Sequence, residues 1–235
     1  MIKDTLFLIP ARKGSKGLPG KNRKLLGDKP LVNYSIEFAK NCLTKNDLIC
    51  VSTNDNKILH LATELNCPAP FIRPENLAND TSTTNEVIFH AINYYKSIGV
   101  HFKYIVLLQP TSPFRRKSDY LEMRKIMSNS NYDMVVSVKK TKDNPFFNMY
   151  KENSDGLLCS IIDPNLQVSR RQDSPSIYCY NGSIYIIRTK SFLKKKNLKF
   201  KSVKKYLMNN NFSIDIDGID DWNNASSLLK SFDKI

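Results

Sequence analysis

Apolar runs alternate with stretches of helical periodicity along most of the chain. Thr5–Ile9 and Leu48–Ser52 are short runs of apolar residues, the mark of buried strands, and Tyr104–Leu108 is the clearest central strand. Between them, apolar positions recur at helical spacing. Leu31–Cys42 carries Leu31, Tyr34, Ile36, Phe38 and Ala39 near one face, and Lys57–Leu65 carries Ile58, Leu61, Ala62 and Leu65. Thr84–Ser97 repeats the pattern with Val87, Ile88, Ala91, Ile92 and Tyr95. Ser118 or Asp119 is positioned to cap a further helix ending near Met127, and Asp133–Val138 begins the next strand. Strand–helix alternation of this kind predicts an α/β fold: a Rossmann-like, mostly parallel sheet with helices on both faces.

The rhythm breaks after Val138. Residues 139–171 hold Asn144-Pro145, Asp155-Gly156 and Asp163-Pro164 between short apolar pieces, which predicts hairpins and loops. Strands at Ser183–Ile187 and Asn211–Ile216 resume the pattern, and a helix at about Asp220–Phe232 closes it, with Trp222 expected to pack that helix onto the sheet. The expected organisation is an α/β domain made of residues 1–138 and 172–235, interrupted by an insertion at 139–171.

Composition narrows this picture only a little. At 235 residues, 41% apolar and 25% charged, the chain can bury a sizeable core as an ordinary globular protein. The first residues do not read as a signal peptide, and no stretch is long enough to span a membrane, so a cytoplasmic location without membrane insertion is expected. Five scattered cysteines form no C-x-x-C, which predicts reduced thiols and not a disulfide framework or structural zinc. The net charge of +14 suits nucleic acid, a membrane surface or a small polyanion. Much of it lies in the Lys190–Lys205 run, expected to be a solvated lysine-rich face. His60, His90 and His101 lack ligand-spaced partners.

The chemistry concentrates in a few stretches. Leu6–Leu26 is a strand followed by a loop with Gly14, Gly17 and Gly20 among Arg12, Lys13, Lys16, Lys21, Arg23 and Lys24. Glycines let backbone amides approach an anion, and the cations add charge, so a polyphosphate site at the carboxyl edge of a sheet is suggested. The loop is neither G-x-G-x-x-G nor a P-loop: Gly14 to Gly20 is one residue too long, and Asn22 stands where Ser or Thr should hold magnesium. Ser213-Ile214-Asp215-Ile216-Asp217, read as a strand, turns Asp215 and Asp217 to one face, with α-carbons roughly 6.5–7 Å apart. Such a pair can hold magnesium alongside substrate phosphates, or can be two solvated aspartates at a strand end. Gln109-Pro110-Thr111-Ser112-Pro113-Phe114-Arg115 follows the central strand, and its uncharged donors and acceptors suit a polyhydroxylated sugar.

These strings together resemble the CMP-sialic acid synthetases, the acylneuraminate cytidylyltransferase family. The carriers are I-P-A-R-K-G-S-K-G-L-P-G-K-N at the opening, Arg73-Pro74-Glu75 with Asp80-Thr81-Ser82, L-Q-P-T-S-P-F-R, Arg171-Gln172 with Asn181-Gly182-Ser183-Ile184-Tyr185, and the D-x-D. The absence of an aspartate after the Tyr104–Leu108 strand argues against the Kdo-transferring branch. The resemblance implies a nucleotide-diphospho-sugar transferase fold and transfer of CMP from CTP to the anomeric hydroxyl of a nine-carbon 2-keto sugar acid. It implies Arg12, Ser15 and Lys21 on the triphosphate, Asn22, Arg73 and Ser82 on the cytosine nucleotide, and Asp215 and Asp217 as ligands of Mg2+. Gln109, Thr111, Ser112 and Asn181 would hold the sugar, and Arg171 its carboxylate. Residues 139–171 would be a dimerisation hairpin exchanged between subunits of a homodimer. At Asn144-Pro145-Phe146-Phe147 the chain departs from sialic-acid-using relatives, which admits legionaminic and pseudaminic acids as acceptors. Two other readings stand beside this one: a nucleotidyltransferase using a sugar 1-phosphate, and a basic nucleic-acid-binding protein.

Overall fold

The computed structural model describes residues 1–67 and 69–232. Its strands are β1 (Ile2–Pro10), β2 (Leu25–Leu26), β3 (Lys29–Pro30), β4 (Leu48–Ser52), β5 (His101–Leu107), β6 (Met134–Lys140), β7 (Tyr150–Glu152), β8 (Leu158–Ser160), β9 (Tyr178–Arg188) and β10 (Val203–Leu207). Its helices are α1 (Leu31–Cys42), α2 (Asn56–Glu64), α3 (Thr84–Ser97), α4 (Lys117–Ser128), α5 (Thr189–Lys195) and α6 (Ile219–Phe232). Six strands form one sheet in the order β10-β6-β9-β5-β1-β4. The β1–β4, β1–β5 and β6–β10 ladders are parallel, whereas β9 runs antiparallel to both β5 and β6.

Why β1 is apolar on consecutive positions is plain from its surroundings. Phe7 and Ile9 enter a core with Val32 and Ile36 of α1, Ile58 of α2 and Met123 of α4. Leu6 and Leu8 enter the core on the other face, with Ile88 and Ile92 of α3 and Phe192 of α5. All four β1 side chains are fully buried, each stabilising the fold by about 1.5–3 kcal/mol. A third cluster joins Leu18, Leu26, Leu31 and Phe114 to Ile216, Trp222 and Ala225. Trp222 therefore packs α6 against the β1–α1 loop, not onto the sheet as expected. Lys24 Nζ lies 5.4 Å from its ring centroid.

The expected strand at Asn211–Ile216 is not one. The Asn209 side chain accepts from the Asn211 amide and starts a short 3-10 turn, Asn210–Phe212, after which 213–217 is irregular. The sheet edge is taken by β10, inside the lysine-rich run. Lysines obscured the short apolar alternation there, and on an edge strand they are favourable because they discourage further pairing. All eight lysines from Lys190 to Lys205 are exposed. Helix α4 is capped by neither Ser118 nor Asp119; it begins at Lys117, and Asp119 inside its first turn accepts a two-pronged ion pair from Arg116 at 2.9 and 2.7 Å.

Within 139–171, β7 and β8 pair only with each other, Tyr150 opposite Ser160 and Glu152 opposite Leu158. Leu157 and Leu158 on this hairpin are 64% and 75% exposed. Among the described residues no helix is long and apolar enough to cross a membrane.

Candidate active site

Strand β1 ends where the sheet order departs to β4 on one side and to β5 on the other, the crevice at which open α/β sheets take ligands. The loop leaving it is moored at its base. Ala11 N donates to Ser52 O (2.9 Å), Lys13 N to Asn54 Oδ1 (2.9 Å) and Asn22 Nδ2 to Arg12 O (2.9 Å). Gly20 turns the chain with φ +67°, and Lys21–Arg23 forms a single helical turn. A cleft of about 220 Å3 opens here. Arg12, Ser15, Lys21 and Asn22 line it from the loop, Arg73 and Ser82 from the α3 side, and Gln109 and Thr111 from the turn after β5. Two distant stretches expected to meet a nucleotide therefore share one cavity with Gln109 and Thr111, which were expected to hold the sugar.

Three cations in this region are held differently. Lys21 is buried, and its ammonium donates to Ile216 O and lies 3.5 Å from Asp217 Oδ1. Arg73 is 3% exposed and donates to Ser52 Oγ (3.0 Å) and to Ser52 O. Burial first, and the nearby Arg12 second, push its pKa down to about 10. Arg12 pairs with Asp80 Oδ1 at 2.7 Å.

The other expected residues stand beside this cleft. Asp215 lines a second cleft of about 400 Å3 with Lys139–Lys142, Asn210 and Asp221. Arg171 lines a third, of about 580 Å3, which shares Lys140, Thr141, Lys142 and Asn210 with the second. A groove thus runs from Asp215 towards Arg171, whose guanidinium meets only the Phe147 ring among the described residues. Ser112 is fully buried, with Oγ 2.9 Å from Asn181 O and 3.3 Å from Asp215 Oδ1. The Asn181 amide is spent inside the protein: Oδ1 accepts from Ser137 Oγ (2.6 Å), and Nδ2 donates to Ser213 Oγ (3.0 Å). It braces Ser213, two residues before Asp215, instead of lining a cleft. Asp215 is half-buried and Asp217 exposed.

Several contributors escaped the sequence reading. A Cβ on Gly182 (φ +72°) would lie 2.6 Å from Ser112 Oγ, 3.0 Å from Asp215 Oδ2 and 3.2 Å from Gln109 Oε1, so only glycine leaves these groups free. A Cβ on Gly17 would lie 2.2 Å from Asp217 O, so the basic loop and the aspartate segment touch backbone to backbone. Asp221 Oδ2 accepts from the amides of Asp217 and Gly218, both at 3.0 Å, fixing that segment. Arg115 donates to Gln109 O (2.6 Å), Ser35 Oγ (2.9 Å) and Ser183 O (2.9 Å), tying the turn after β5 to α1 and β9. Burial pushes its pKa down to about 9, opposed by the charge of Asp215. The signal was the arginine closing L-Q-P-T-S-P-F-R, but spacing alone does not say which way a side chain turns.

Comparison with known proteins places the chain in a family. A sequence model of the family described as "Cytidylyltransferase" matches residues 6–218. The chain is 33% identical over 229 residues to the CMP-N,N'-diacetyllegionaminic acid synthase of Legionella pneumophila, covering 96% of both. It is 28% identical over 225 residues to the pseudaminic acid cytidylyltransferase of Campylobacter jejuni, again covering 96% of both. With the N-acylneuraminate cytidylyltransferase of Escherichia coli it shares 33% over 213 residues, which is 90% of this chain but 49% of that protein. In fold it resembles a CMP:2-keto-3-deoxy-manno-octonic acid synthetase solved with CTP, at a TM-score of 0.70 and 15% identity over 97% of this chain and 99% of the other. The match of the family model across most of the chain, together with the full-length relatives, shows that this chain is an enzyme of the cytidylyltransferase family.

Proposed function

We propose that the chain couples CTP to the anomeric hydroxyl of a nine-carbon 2-keto sugar acid, N-acetylneuraminic acid or a bacterial analogue, giving the CMP-sugar and pyrophosphate. The carrying observation is the cleft at the β1 switch point, where Arg12, Ser15, Lys21 and Arg73 converge beside the Asp215–Asp217 segment. The acceptor oxygen attacks the α-phosphorus, its proton is released, and the bond to the β-phosphate oxygen breaks. Phosphoryl transfer of this kind depends on positioning and on stabilising charge. Arg12, Ser15, Lys21 and the loop amides hold the triphosphate and the departing pyrophosphate; Asn22, Arg73 and Ser82 hold the cytosine nucleotide. Gln109 and Thr111 orient the sugar; Ser112, expected beside them, is fully buried and instead positions Asp215 through its hydroxyl; and Arg171 at the far end of the groove receives the sugar's carboxylate.

Asp215 and Asp217 are our candidates for holding magnesium. The donor chemistry fits: two hard carboxylates, one half-buried and one exposed, beside a glycine whose missing Cβ leaves Asp215 Oδ2 open. Among the described residues no group of three or more His, Cys, Asp or Glu could hold a metal, so the remaining ligands would be phosphate and water oxygens. Bound there, magnesium supplies a Lewis acid that offsets phosphate charge and lowers the pKa of the acceptor hydroxyl.

The full-length legionaminic and pseudaminic relatives support a bacterial analogue as acceptor. The apolar, exposed β7–β8 hairpin supports an insertion at 139–171 exchanged in a homodimer. The five unpaired cysteines support a reducing, cytoplasmic setting. A second reading, transfer to a sugar 1-phosphate, is favoured by one observation: Lys140 and Lys142 line the same cleft as Arg171. Incubation with CTP, magnesium and, in separate arms, a panel of nonulosonic acids and a panel of sugar 1-phosphates separates the two, because a sugar acid yields a CMP-sugar and a sugar 1-phosphate yields a CDP-sugar. Failure to release pyrophosphate with every acid on the panel would refute the main reading.

A further inference from the structure

The pairing of Arg12 with Asp80 has a consequence for how the cleft handles polyphosphate. Arg12 and Lys16 stand on the β1–α1 loop, and Asp80 stands on the opposite side, at the turn before α3. Asp80 Oδ1 is 2.7 Å from Arg12, and its Oδ2 is 3.4 Å from Lys16. One carboxylate thus engages two loop cations: Arg12, which lines the cleft, and Lys16, which stands exposed on the same loop. We propose that Asp80 is a specificity-determining residue that competes with the β- and γ-phosphates of the nucleotide for Arg12 and Lys16. This rests on the reading that the cleft takes CTP.

The two sides of the contact differ in stiffness. Asn79 Oδ1 accepts from Thr81 N (3.1 Å), Thr81 Oγ1 (2.9 Å), Ser82 N (2.8 Å) and Ser82 Oγ (2.8 Å), which pins the turn that carries Asp80. Thr83 and Glu86 then form a capping box at the start of α3. On the loop side, Gly14 has open space around it and the Lys16 side chain is 77% exposed. The cations therefore change partner while the carboxylate stays. Without a ligand Asp80 offsets the charge of Arg12, which otherwise faces the buried Arg73 across the same cleft. An arriving polyphosphate replaces Asp80 as their counter-ion. Once the bond between the α-phosphorus and the β-phosphate oxygen is cut, Asp80 reclaims both cations and weakens the hold on the leaving pyrophosphate. A nucleoside monophosphate has no β- or γ-phosphate to exchange with Asp80 and gains nothing from its removal.

The test is calorimetric titration of the intact protein with inorganic pyrophosphate, CTP and CMP, comparing wild type with Asp80→Asn and Asp80→Glu. The proposal expects Asp80→Asn to bind pyrophosphate and CTP about two- to thirtyfold more tightly, the range for two solvent-exposed ion pairs. CMP affinity should not change, and Asp80→Glu should return affinities towards wild type. A merely structural role for Asp80 would weaken all three ligands. Pyrophosphate and CTP bound equally or more weakly by Asp80→Asn, while wild type binds CTP, would overturn the proposal alone. Wild type binding neither CTP nor pyrophosphate would overturn the CTP reading together with it.

Discussion

Replacing Gly17 with alanine severs the contact that joins the basic loop to the aspartate segment. The new Cβ would sit 2.2 Å from Asp217 O and 3.2 Å from Asp217 C. An ordinary carbon–oxygen contact needs about 1 Å more than that. The obstacle is backbone, and it is held on both sides: Ile216 O accepts from Lys21 Nζ, and the amides of Asp217 and Gly218 donate to Asp221. Overpacking of this kind costs about 1–3 kcal/mol. For a chain of 235 residues that lowers Tm by roughly 2–6 °C. Displacing a reacting group by about 1 Å costs about 100-fold in rate, so kcat should fall far more than stability does. Gly14→Ala is the control for Tm, because no other group lies within 4 Å of its Cβ; Gly14 lines the cleft, so kcat is judged against wild type. Gly20→Ala is a second comparison: it imposes φ +67° on an L-residue, at about 1–2 kcal/mol, with only the Arg23 side chain nearby. Continuous pyrophosphate-release assays and thermal melts of the three variants decide the matter. If Gly17→Ala matched wild type in kcat and Gly14→Ala in Tm, the coupling of loop to aspartate segment would be refuted.

Asn181→Ala should lose about 1–3 kcal/mol of unfolding free energy in denaturant titrations, because two buried side-chain hydrogen bonds, to Ser137 and Ser213, are lost while each hydroxyl keeps a backbone carbonyl. The amides of Gly218 and Asp217 hold the Asp221 carboxylate below its usual pKa. A lowered carboxylate pKa stabilises the fold above the unfolded value and loses that contribution as pH falls through the folded one. The Tm deficit of Asp221→Asn should therefore be full above about pH 4 and shrink below it. Leu158→Asp, on the exposed hairpin, should halve the mass seen by light scattering if residues 139–171 hold two subunits together; an unchanged dimer mass would rule that arrangement out.

The parts of the fold that were legible are those whose partners are set by one-dimensional pattern. Helices α1 and α3 and strand β4 stand at the expected residues because each buries a regular apolar face. The opening loop, Arg73, Ser82 and Gln109–Thr111 share a cleft because strand ends of a parallel sheet converge at its carboxyl edge. What was not legible depended on competition between local and distant contacts. The 211–216 segment alternates like a strand, but Asn209 captures its first amide, and the edge goes to lysine-rich β10. Asn181, taken for a sugar ligand, turns inward to Ser137 and Ser213, and no motif specifies that direction. Asp80, Gly17 and Gly182 matter through what lies opposite them across the cleft.

The central claim is that the loop-bound nucleotide is attacked by a sugar-acid hydroxyl at the Asp215–Asp217 segment. It is tested most directly by the mass of the product formed from CTP, magnesium and each nonulosonic acid, with wild type and with Asp217→Asn run side by side. The account predicts a CMP-linked acid and one equivalent of pyrophosphate from wild type, and neither from Asp217→Asn although that variant still binds CTP weakly. No CMP-linked product with any acid, or undiminished turnover by Asp217→Asn, would contradict it.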